Sequence, residues 1–320
     1  MMAAISESTT LYQRPSNLKR FFKDNRKWAP YLFVAPFFLT FAIFTLYPVL
    51  RAIIMGFQEI KGFAGGWEWV GAANFVEAVG DERVHIALRN AVVYAMGSIL
   101  MQVPFAFLLA MMLANPRLRA KWFYRSVYFL PSILPGVTMA MLAIWFFNPE
   151  RGLLNAIISA FGGERVQWGF DPAHIMPMLW STAFWQWFGY HAVFLLAGMT
   201  GMDQSVLEAA TVDGAGTWQR ARYIIIPLLK PIFAFITITS ALGALVMYDV
   251  PILLLNPGGV GQGYGSGPGG QGWFMLTYIS FVAFDNFRFG YATAIGWLMF
   301  TLAVVITLFQ LRLYNFGEID

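Results

Sequence analysis

A chain of 320 residues that is 58% hydrophobic and 18% aromatic but only 12% charged lacks the polar surface of a soluble domain, which runs about a quarter charged; it is also too apolar to be disordered. Having no cysteine, it holds no disulfide, thiolate metal site or cysteine nucleophile, and its histidines at 85, 174 and 191 show no metal-ligand spacing. The net charge of +4, from 21 basic and 17 acidic residues, matters for its placement more than for its size.

Crossing the hydrocarbon takes about 20 apolar residues, at about 1.5 Å each against about 30 Å of core. Residues 1–28 form a basic tail in which Leu18, Phe21 and Phe22 predict a short helix on the membrane interface. The first span is expected at 29–50. Its apolar run is longer than that of a cleaved signal, and Leu46-Tyr47-Pro48 supplies no small-x-small site, so an uncleaved signal-anchor is the reading. A long mixed loop, 51–89, leads to a second span at 90–116. The third, 126–149, carries Pro131 and Pro135 as bending points. A polar loop with a short helix at 153–161 precedes the fourth span, 172–202. The fifth, 231–248, is ended by Asp249, and the sixth covers 289–311. Between these last two, 257–272 reads PGGVGQGYGSGPGGQG. It has no lysine to hold a phosphate and is expected to be a flexible surface linker.

Lysine and arginine favour the cytoplasmic side. With the N-terminus inside, the inner segments hold 14 of the 21 basic residues: six before the first span, Arg117, Arg119, Lys121 and Arg125, then Arg220, Arg222 and Lys230, then Arg312. Both termini, the second being 314–320, are therefore expected to be cytoplasmic.

The inner loop 203–230 carries helix signals. Ser205-x-x-Glu208 has the pattern of a capping box, and Asp203 adds negative charge at the positive helix end. Val206, Leu207, Ala209 and Ala210 predict a short helix that Gly214 stops at φ > 0. Thr217 is the expected cap of a second helix, which Pro227 breaks. The pair is too polar to enter lipid, and its Ala/Val face suits a groove on another protein.

Glu208-Ala209-Ala210, Asp213-Gly214-Ala215 and Ile224-x-Ile226-Pro227 resemble the EAA motif of ABC importer permeases, with Ile226 where leucine is usual. Further stretches are similar to the first-subunit (MalF- or UgpA-like) sugar-permease branch: residues 30–36 with Tyr47-Pro48, residues 185–189 with 196–198, and Tyr248-Asp249 with Tyr291-Ala292-x-Ala294. Met202-Asp203 in place of Ile-Pro and the long glycine-rich insert depart from the pattern. The resemblance implies an all-α integral membrane protein with six transmembrane helices of the type I ABC importer permease architecture, making residues 29–313 one permease domain. It implies a cytoplasmic coupling helix in which Glu208, Ala209, Ala210, Asp213 and Gly214 meet an ATPase subunit. The partners it implies are a second, similar permease chain, an ABC ATPase dimer that carries the ATP and Mg, an external solute-binding protein and the bacterial inner membrane. This chain would bind no cofactor or nucleic acid and catalyse no covalent step.

Ionisable or amide groups inside apolar spans are costly and often functional. Asp249 has three readings open to it: interfacial water, an ion pair with Arg288, or gating and cargo contact. In span four, Trp185, Gln186, Trp187, Tyr190 and His191, with Gln102 of span two, combine ring faces for sugar C–H groups with hydrogen-bond partners for hydroxyls. Gln186 and Tyr190 lead that set; interfacial belts and helix packing are the alternative roles. The expected cargo is a di- or oligosaccharide, with glycerol phosphate or another polyol behind it. An ion-coupled secondary transporter is the other class, but it leaves the inner helix pair unexplained.

Overall fold

The computed structural model describes residues 29–60, 66–255 and 266–314; the predicted interfacial segment and the C-terminal tail after Tyr314 lie outside them. The fold is helical, and the described chain divides into a unit ending at Ile54 and a second unit beginning at Met55.

In the first unit, helix α1 (Ala29–Phe41) passes through a π-helical turn (Ala42–Leu46) into α2 (Tyr47–Gly56). The apolar helix is thus longer than the expected 29–50. Pro36 inside α1 is accommodated without a break, and the Thr40 hydroxyl donates to the Pro36 carbonyl at 3.0 Å. Polar groups of a helix in lipid need such internal partners.

The second unit opens with a hairpin, β1 (Gln58–Ile60) and β2 (Trp67–Trp69), antiparallel with Glu59 opposite Glu68. This is the departure from an all-helical chain. Next come α3 (Ala73–Gly80) and α4 (Glu82–Ala114). Helix α4 starts eight residues before the apolar stretch because Asp81 caps it, accepting the Arg83 amide at 2.8 Å.

The expected third span is two helices, α5 (Lys121–Ile133) and α6 (Gly136–Phe146), at 100° to one another. Pro131 is tolerated inside α5. The break comes at Pro135, which cannot donate and holds Leu134 extended at φ −71°, ψ 134°. After α7 (Leu153–Ala160) comes α8 (Pro172–Thr200), 29 residues without an Asp, Glu, Lys or Arg.

Helix α9 (Gln204–Val212) leads to α10 (Thr217–Arg220), a second π-helical turn (Ala221–Ile225) and α11 (Ile226–Leu228). A 69° bend separates this run from α12 (Lys230–Leu245). The bend falls at Leu229 rather than at Pro227: the wide π turn just before Pro227 accommodates its missing amide, so the helix runs on to Leu228. Short α13 (Asp249–Leu254), α14 (Met275–Ser280) with a π turn, and long α15 (Phe289–Leu313) complete the chain.

By length and composition, three helices among the described residues (Pro30–Gly56, Glu82–Ala114 and Phe289–Leu313) can cross a membrane, and the two bent pairs raise the number to five. Helix α8 is long enough, but its tryptophans, histidines and glutamine dilute its apolar character.

The second unit packs around two apolar clusters. One gathers Ile175, Met178, Leu179, Phe274 and Ile295. The other gathers Leu113, Leu195, Leu229 and Ile236. Helices α4, α8 and α12 each contribute to both clusters, and each carries polar residues between its two contributions: Ser98 and Gln102, Gln186 and His191, Thr239 and Ser240.

Candidate functional site: a polar cavity and an exposed helix pair

Those polar stretches line a single cavity of about 510 Å³, a volume suited to a small-molecule ligand. Gln102, Gln186, Trp187, Tyr190, His191 and Asp249 all line it, so the residues singled out in three different spans converge. Trp185 points elsewhere, into a separate, largely apolar pocket with Leu142 and Phe146. It sits one residue before Gln186, which turns it about 100° round the helix.

Two of the lining groups, an amide and an imidazole, are buried, and the imidazole has an unpartnered nitrogen. Gln102 is 3% exposed and His191 5%; His191 Nδ1 finds no hydrogen-bond partner among the described residues. A polar group left so costs roughly 1–3 kcal/mol, and a hydroxylated ligand offers both donors and acceptors. Gln186 has a structural role as well: its amide donates to the Leu134 carbonyl at 3.3 Å, beside the break between α5 and α6. Tyr190 stacks on Phe129, with centroids 6.2 Å apart, and meets Trp187 edge-on at 5.7 Å. That holds an aromatic wall on one side of the cavity.

Asp249 is not paired with Arg288. It lies against Gly136, whose added Cβ would stand 2.4 Å from Asp249 Oδ2. Arg288 instead grips Glu77 with two hydrogen bonds of 2.6 and 2.7 Å, and its Nε is 3.9 Å from Glu59.

At the other end of α8, Glu208, Ala209, Asp213 and Gly214 are exposed, while Ala210 is buried. The cap of α9 is Asp203, which accepts the Ser205 amide at 2.9 Å; Ser205 lies inside the first turn, so the Ser205–Glu208 capping box does not form. That bond holds the Asp203 carboxyl below its usual range. Gly214 stops the helix at φ 80°, with Ala215 bonding back to the Ala210 carbonyl at 2.9 Å. Gly216, not Thr217, is the cap of α10, and Gln219 reaches back to accept its amide at 2.7 Å. Arg220 donates to the Thr211 hydroxyl at 2.8 Å and so ties α10 to α9. Beyond it, Ala221, Ile225 and Leu229 enter the second apolar cluster. The pair is anchored at its base and presents Val206, Glu208, Val212 (88% exposed) and Trp218 outward.

A third constellation had no signal in the sequence. Tyr278 and Tyr291 both donate to Asp81 Oδ2, Tyr291 at 2.6 Å, and Arg288 lies 4.4 Å from the Tyr291 ring centroid. Burial raises the Asp81 carboxyl, but these hydroxyls and the Arg83 amide outweigh it and hold the group below its ordinary value. The Arg288 hydrogen bonds lower Glu77 in the same way. Nearby, buried Asn90 donates to the Gly270 and Trp273 carbonyls at 2.9 Å each, so the end of the glycine-rich stretch is pinned where a flexible linker was expected. Its middle, 256–265, lies outside the described residues.

The family described as binding-protein-dependent transport system inner membrane component matches residues 102–315. The chain is 31% identical over 301 residues to the lactose transport system permease protein LacF of Rhizobium radiobacter, covering 92% of this chain and 95% of that one. It is 28% identical over 290 residues to the arabinooligosaccharides transport system permease protein AraP of Bacillus subtilis, covering 90% and 89%. A chain of a bacterial ABC transporter involved in the import of the acidic polysaccharide alginate superposes with a TM-score of 0.78 at 26% identity, covering 93% of this chain and 99% of that one.

Proposed function

The chain belongs to the family of binding-protein-dependent transport system inner membrane components, and from that premise we propose that it is one of two permease subunits of an ATP-driven saccharide importer. It moves a di- or oligosaccharide across the bacterial inner membrane. The observation that carries this reading is the cavity: six polar and aromatic side chains from three helices, three of them buried amide or imidazole groups, at the level between two apolar clusters. A ligand rich in hydroxyls satisfies such groups, and the Trp187–Tyr190 wall takes its C–H faces.

In this reading the chain has six spans, α8 being one, with both termini cytoplasmic, and α9 is the coupling helix. Exposed Val206 and Val212 flank a charge at Glu208, a pattern suited to a groove with a basic residue in it. ATP and Mg belong to the ATPase dimer beneath, and a solute-binding protein delivers cargo from outside. Closure of the ATPase pushes α9; the Arg220 tie and the buried base at Ala221 and Ile225 pass that push to α12, which lines the cavity. The names of the relatives, a lactose and an arabinooligosaccharide permease, support saccharide over glycerol phosphate as cargo.

Glu208→Gln tests the coupling. It keeps the helix, whose cap is Asp203, and removes only a charge. In the purified complex the ATPase should still copurify, while cargo-stimulated hydrolysis falls about tenfold, as expected for loss of one charged contact at an interface. Full coupling in that variant, or a complex without an ATPase, refutes the reading.

A further inference from the structure

The cavity is electrically one-sided. Its lining holds one carboxylate, Asp249, and no lysine or arginine among the described residues. The remaining polar groups are amides, hydroxyls and an imidazole, which bond neutral hydroxyls without favouring charge.

The one feature that could attract an anion is already taken. Where helices are interrupted near the middle of a membrane, the N-terminal end of the second half-helix is a natural seat for an anionic cargo group. Helix α6 begins after an interruption of this kind, at Gly136, immediately after the 100° break and on the cavity wall, whatever its depth. Asp249 lies against that end: its Oδ2 is 2.4 Å from where a Cβ at position 136 would stand, a close approach that the glycine permits. A carboxylate at that place repels any other anion that approaches it.

The similarity to known proteins leaves cargo charge open, since one relative is named for lactose and the superposing structure for an acidic polysaccharide. We infer that Asp249, held against the start of α6, is the charge-selecting residue of the path, admitting uncharged saccharides and turning back anionic ones. The inference rests on the saccharide path proposed above.

The test uses the whole transporter, with its second permease, ATPase and binding protein, in proteoliposomes. Neutral disaccharides (lactose, maltose, cellobiose) are each compared with the carboxylate made by oxidising the same sugar. Uptake is normalised to the occupancy of the binding protein measured separately, so that selection outside the membrane cancels. In the unaltered transporter, neutral uptake should exceed anionic uptake. Asp249→Asn should raise the anionic-to-neutral ratio about tenfold, since a like-charge contact costs that much or more, and Asp249→Glu should keep it low. If Asp249→Asn fails to assemble, Ser240→Lys, which adds a cation to the lining, should raise the same ratio. An unchanged ratio in the assembled variant overturns the role given to Asp249. Failure of the unaltered transporter to move any neutral sugar instead overturns the saccharide reading on which it rests.

Discussion

Asp81 joins three parts of the chain: it caps α4 and accepts hydroxyls from Tyr278 on α14 and Tyr291 on α15. Its carboxyl is held below the ordinary value, so the stability it contributes is present above its unfolded value of about 4 and is lost as pH falls through the lower folded value. Glu77, lowered by Arg288, acts in the same direction. Thermal melts of the detergent-purified protein should therefore fall off below about pH 4, and Asp81→Asn should lower the melting temperature at pH 7 while flattening that acid limb. An acid limb of unchanged steepness in the variant would exclude Asp81 from it. None of this was legible in the sequence. Asp81 looks like one loop acid among several, and its partners lie about 200 positions away. Gln102, Gln186, Tyr190 and Asp249 were legible for the opposite reason: a polar group in an apolar span is costly wherever its partner is.

Among the elements, those whose ends are set by nearest neighbours were read well. Gly214 stops α9, and the short helix expected at 153–161 spans Leu153–Ala160. Capping was misjudged by a residue or two, because Ser205 and Asp203 are both good caps and only backbone geometry chooses between them. The break in the third expected span followed Pro135 and not Pro131; sequence marks both prolines alike, and packing of α5 on α8 decides. That packing is close. An added Cβ on Gly189 would stand 1.8 Å from the Tyr128 carbonyl oxygen, whereas Gly296 has nothing within 4 Å. Gly189→Ala should thus destabilise the protein by about 1–3 kcal/mol through forced backbone movement, and Gly296→Ala should be neutral or stabilising by up to about 1 kcal/mol. Reversible unfolding in mixed micelles gives both values, and equal effects would contradict the packing described.

For the molecule as a whole, composition announced a membrane protein and charge suggested its orientation, but the layered interior needed the fold. Apolar clusters bracket a polar level on α4, α8 and α12, and no single helix reveals that the three levels coincide. The π-helical turn at Ala221–Ile225 has a consequence of its own. It lodges one extra residue in the run between the exposed arm and the body by widening a turn, while Leu207, packed on the second apolar cluster, and the Arg220–Thr211 bond set the direction in which α9 faces. Removing exposed Tyr223 would restore ordinary winding and tighten that turn while the flanking helices keep their phase. Far-ultraviolet dichroism and cargo-stimulated ATP hydrolysis should both survive that deletion, as a chain runs on after a slack link is taken out, and loss of coupling would show that the width of the turn itself carries the push.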